Sequence, residues 1–151
     1  MIISIDIAQL KEAIKEETSR VASRSYAEDG SSLYDAIVIK SRDADLIDRT
    51  ITEAATVVRS ATERFLDLSH EDAENRLEFK FILSERRNLK KDVFFNNLVR
   101  SILVHLVTAT YLKKDLQEVH AQRYDEMAAL NLKMLIKEVY GKMPPKRMEE
   151  N

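Results

Sequence analysis

Residues 98–112, Leu-Val-Arg-Ser-Ile-Leu-Val-His-Leu-Val-Thr-Ala-Thr-Tyr-Leu, carry apolar side chains on nearly every side of a helix rather than along one stripe. A helix of this kind is stable only when other elements surround it, so the chain is expected to build a bundle with this stretch at its centre. Arg100 and His105 interrupt the run, which falls short of the roughly 18 consecutive apolar residues of a membrane span. The start, Met-Ile-Ile-Ser-Ile-Asp, lacks the basic flank and long apolar run of a signal peptide. The expected product is therefore soluble and intracellular.

A chain of 151 residues fits one domain and can hold a core unaided. Only two glycines and two prolines accompany 33% charged and 44% hydrophobic residues, the composition of long helices with few connections. The net charge of −2 gives no general attraction to nucleic acid or anionic lipid. Absence of cysteine excludes disulfides, thiol catalysis and zinc–thiolate sites.

A first amphipathic helix is expected over residues 6–24, capped by Ser4 or Asp6, with Ile7, Leu10, Ile14 and Val21 on its buried face. Residues 25–32 read as a surface loop and as the stretch inside the domain most prone to disorder. Residues 33–40 suit either a short helix behind Ser31 or Ser32 or, through Ala-Ile-Val-Ile, a strand; the short helix is preferred. From Ser41 a heptad stripe runs through Ala44, Ile47, Ile51, Ala54, Val58, Ala61, Phe65 and Leu68, which an intramolecular seam explains better than a dimeric coiled coil. Ser69 and Asp72 have capping-box spacing and predict one or two further helical turns.

The period then changes. Leu77, Phe79, Phe81 and Leu83 alternate with Glu78, Lys80, Ile82 and Ser84, the pattern of a strand. One strand cannot satisfy its own backbone groups, so it must pair with residues 2–5, with residues 36–39 or with another chain. Beyond it, Arg86, Arg87, Lys90 and Lys91 form the most basic short run. The apolar helix is expected over residues 93–114 and a last helix over 116–140, with Val119, Tyr124, Met127, Leu130, Met134, Leu135 and Val139 on one broad face. Gly141 ends that helix as a C-cap would. The expected organisation is one mainly α domain over residues 1–141, a bundle of about four main helices with a short β element, and an extended tail over 142–151 carrying Lys146 and Arg147.

No pattern here points to catalysis. No Glu is followed three residues later by His, as a di-metal bundle site requires, and His70-Glu71 is not completed into a zinc-protease motif. His70, His105 and His120 fall in three separate segments; His105, within the apolar helix, is expected to be a satisfied core residue or to face a groove. With two glycines no phosphate loop can form. The expectation is a non-enzyme without cofactor, metal or small-molecule substrate. A helix-turn-helix is disfavoured because the final helix balances Lys133 and Lys137 against Asp125, Glu126 and Glu138.

The order Asp-Ala-Asp-Leu-Ile-Asp-Arg-Thr-Ile-Thr-Glu-Ala-Ala (residues 43–55), an aromatic-rich strand, an apolar helix ending Ala-Thr-Tyr-Leu (109–112), and a helix closing Leu-Ile-Lys-Glu-Val-Tyr before a basic Pro-Pro tail resembles small structural proteins of phages and prophages of Bacteroides-type bacteria. More distantly it is similar to the helical head-to-tail connector, or adaptor, proteins of tailed phages. The resemblance spans residues 33–147 and rests on patterns of residue type. It implies a virion component of the portal end or neck, an oligomer or a partner of other virion proteins, found in the host cytoplasm and then in the virion. Leu77, Phe79, Phe81 and Leu83 are the expected subunit contacts, through strand addition. Arg86, Arg87, Lys90, Lys91, Lys146 and Arg147 are the expected contacts to an acidic partner or phosphate. The alternative is an intracellular adaptor or regulator that binds protein or nucleic acid through the basic run.

Overall fold

The computed structural model describes residues 1–84, 89–114 and 117–141. Four helices of 16 to 23 residues and a two-stranded antiparallel sheet make up the fold, which is mainly α with a short β element. In chain order these are β1 (Ile2–Asp6), α1 (Ile7–Ala22), a single turn α2 (Tyr34–Ile37), α3 (Ala44–Thr62), β2 (Arg76–Lys80), α4 (Asp92–Lys114) and α5 (Glu118–Tyr140).

The apolar stretch lies in α4, which packs against α5, α3, α1 and β1. By length and hydropathy alone α4 could cross a membrane. Here Phe95, Val99, Ile102, Leu103, Val107 and Leu112 are instead buried by neighbouring elements. They join Ile47, Ile51, Ala54 and Val58 of α3, Leu10 and Ile14 of α1 and Leu135 and Val139 of α5 in the core. A smaller cluster closes the C-terminal end of α4, where Ala109 and Leu112 meet Val21, Ala22, Ile37, Ala121 and Tyr124.

Helix α1 begins at Asp6, whose carboxylate accepts the Gln9 backbone N–H at 2.9 Å. That bond satisfies one of the donors a helix start leaves open. Residues 25–32 form an ordered turn: Tyr26 and Ser32 bridge, Asp29 accepts the N–H and hydroxyl of Ser31, and Gly30 sits at φ 82°, where a side chain would be strained. These local bonds shape the surface loop expected there. Residues 33–40 contain the short helix α2, not a strand.

The heptad stripe holds only across its middle. Ala44 and Ala61 are exposed, and the helix passes into a tighter turn at Glu63–Phe65, so Leu68 falls outside it. Thr50 and Thr62 are buried in their place, each donating its hydroxyl to the carbonyl four residues back. No helix follows Ser69: its hydroxyl and N–H go to Asp67, and Asp72 accepts the Glu78 N–H at 2.7 Å instead of capping a helix.

β2 pairs with residues 2–6, in register Ile3 with Phe79 and Ile5 with Leu77. The alternation therefore drives Ile3, Ile5, Leu77, Phe79 and the bridging Phe81 into one face of the sheet, against α4. Gly141 does not cap α5 through a left-handed turn. It keeps helical angles (φ −64°, ψ −8°), and its N–H still donates to Lys137.

Candidate functional site

The expected interface strand is the first correction. Leu77, Phe79 and Phe81 are buried in the chain's own core, Phe79 and Phe81 each 1% exposed, and Leu83 is packed against them. The outer edge of β2 is also taken. Asp67 N–H donates to the Lys80 carbonyl, Ile82 N–H to Phe65, Asp72 accepts from Glu78 N–H, and Arg59 reaches the Glu78 carbonyl. A strand sealed on one edge by β1 and on the other by residues 65–72 has no ladder to offer another chain. Of the expected basic contacts, Lys90 and Lys91 are exposed on a short turn ahead of α4. Arg86, Arg87, Lys146 and Arg147 lie outside the described residues.

A different site emerges where α1 and α5 flank α4. Glu17, Arg20 and Val21 on α1 are followed by Arg24 in the turn just past its end; on α5, His120, Arg123, Tyr124 and Met127 follow the i, i+3, i+4, i+7 spacing that places side chains on one helix face. The two faces line a cleft of about 460 Å³, with His105 contributed by α4.

The walls are tied across the cleft. The Tyr124 hydroxyl donates to Glu17 Oε2 at 2.8 Å, and Arg20 Nη1 donates to Glu17 Oε1 at 2.9 Å. Arg20 also reaches Glu16 through Nη2 at 3.1 Å. Burial, with the Glu17 carboxylate beside it, pushes the Tyr124 phenol up to about 12, so it remains a donor at neutral pH. The His105 ring lies 5.7 Å from that of Tyr124. Burial holds the His105 imidazole below its ordinary pKa of 6.5 against the opposing pull of Glu17, which favours the neutral ring.

His105 Nδ1 and, one helical turn on, Thr108 Oγ1 are buried without a hydrogen-bond partner among the described residues. Such atoms are uncommon in folded proteins. The exposed guanidinium groups of Arg24 and Arg123 have no hydrogen bond or ion pair among the described residues. Chemically the cleft can hold an anion and donate hydrogen bonds to it. No group of three or more potential metal ligands occurs among the described residues.

The sequence separated the three histidines; the fold brings His105 and His120 to one cleft with Glu17 and Tyr124, and leaves His70 in a loop beside the sheet, 2.7 Å from Glu78. The signal for the cleft was present in the mostly polar i, i+3, i+4, i+7 sets that run from α1 into the turn after it and along α5. The apolar residues of α5 drew attention to another face.

Of the seven apolar residues expected on one face of α5, Tyr124, Leu135 and Val139 are buried, and the other four are the second correction. Helix α5 packs inward through Ala121, Tyr124, Ala128, Leu135 and Val139, because the small alanines allow close approach to α4. Val119 is 81% exposed, Leu130 64% and Met134 46%, and Met127 stands at the cleft's rim. Comparison with protein-family models, curated proteins and solved structures gives no match.

Proposed function

We propose that this chain is a non-enzymatic structural or assembly protein that acts through contacts between subunits, in the manner of the phage structural and connector proteins its sequence resembles. The observation that supports this is the second apolar face of α5. Val119, Met127, Leu130 and Met134 fall along one side of the helix, roughly opposite the side used for α4, and all four are exposed. Scattered exposed leucines mean little, but a helix with two apolar faces, only one of which has a partner among the described residues, has a surface suited to packing against another helix.

The expected assembly is self-association through α5, with the sheet contributing stability rather than contact. Light scattering across a wide range of protein concentration tests it. The wild-type chain is expected to rise in mass with concentration, whereas Leu130→Glu combined with Met134→Glu stays monomeric with an unchanged helical circular dichroism spectrum. A wild-type chain that remains monomeric throughout, or a double variant that assembles equally well, overturns the reading.

A further inference from the structure

We propose that the cleft between α1 and α5 binds a small phosphate ester, with the guanidinium groups of Arg24 and Arg123 gripping the phosphate and the His120 ring beside them. The reasoning starts from which charges in the cleft are already matched. Glu17 has one oxygen on Arg20 and the other on the Tyr124 hydroxyl. Arg20 is further divided between Glu17 and Glu16. Arg24 and Arg123, which line the same cleft from its two walls, have no such partner among the described residues.

Two unmatched cations in one concavity repel each other, and a dianion between them turns that repulsion into attraction. Guanidinium suits phosphate in particular, since its planar fork donates two parallel hydrogen bonds to a pair of oxygens. Size argues for an ester over the bare ion. The cleft, at about 460 Å³, falls in the range of roughly 300–1,000 Å³ typical of small-molecule sites. Val21, Met127 and the ring of Tyr124 supply an apolar lining for the organic portion. The site meets the assembly face only at Met127, because Val119, Leu130 and Met134 do not line it.

Ring signals of His105 and His120 in a nuclear magnetic resonance titration at low ionic strength report on occupancy, with inorganic phosphate, phenyl phosphate and benzoate as probes. Saturable shifts are expected with both phosphates, tightest for phenyl phosphate and weakest for benzoate. Arg24→Gln with Arg123→Gln should raise the phenyl phosphate Kd roughly tenfold or more, a loss of charge-assisted bonds. Both arginines are exposed, so the variant keeps the fold. Arg64→Gln, on an exposed turn outside the cleft, should bind as wild type. The absence of saturable shifts, tighter binding of benzoate, or a double variant that binds phenyl phosphate as well as wild type overturns the proposal.

Discussion

Asp43 shows how one buried charge can tie three segments together. It is 6% exposed, and its carboxylate accepts the Lys40 backbone N–H at 2.9 Å, the Tyr111 hydroxyl at 3.0 Å and the Lys114 ammonium at 3.0 Å. Burial pushes its pKa upward, but the Lys40 N–H, Lys114 and Tyr111 outweigh it and hold the group below its ordinary 3.8. Such a carboxylate stabilises the fold fully above its unfolded pKa, and the contribution is lost as pH falls through the folded value. Asp43→Ala is expected to cost about 2–4 kcal/mol in urea unfolding at neutral pH, because three donors lose their acceptor. The penalty should shrink in acid. His105 has the opposite chemistry with the same slope. It is a base whose folded pKa is depressed, so the unfolded chain binds its proton more readily and stability falls as pH drops below about 6.5. Replacing His105 with Asn should flatten the fall in Tm between about pH 7 and pH 5. Glu17, whose charge favours the protonated ring, is the group that blunts this effect. The sequence made the polarity of His105 visible within α4. It hid the company, since Glu17 and Tyr124 are 107 residues apart and meet only through the fold.

At the level of elements, periodicity was legible and partnership was not. The alternation of Leu77, Phe79 and Phe81 identified a strand but could not say whether its apolar face met this chain or another. Burial decides it: Phe79 also lies under the Arg59 guanidinium, 5.0 Å from the ring centroid, so it is covered from both sides of the fold. Phe79→Ala is therefore expected to destabilise the domain by about 3–5 kcal/mol, the usual loss for a fully buried aromatic, read as a lowered urea midpoint. An unchanged midpoint would place the ring outside the core. Helix α5 misled in the reverse direction. Large apolar residues suggest a buried face, yet Ala121 and Ala128 make the close contact with α4 and leave Leu130 and Met134 in solvent. The heptad run in α3 failed at its ends for a related reason, since a regular stripe needs a partner along its whole length and the helix turns away at Glu63.

For the molecule as a whole, the all-round apolar character of residues 98–112 was sufficient to foresee a bundle with that helix at its centre. What surrounds it depends on long-range choices: β1 with β2, α1 and α5 as the two walls of a cleft, and α3 against the remaining side. One of those choices also sets the order in which the fold can form. Ser4 and Glu78 sit opposite each other in the sheet although 74 residues separate them, and the helix that backs the sheet begins only at Asp92. Closing so long a loop carries an entropic toll before any contact repays it, and the repayment waits for α4. On the ribosome, at roughly 5–20 residues per second, the first half of the chain would emerge with its apolar faces formed and nothing to bury them against. The central helix is thus the step that commits the chain to its native state, and a nascent chain stalled before it would be a substrate for chaperones.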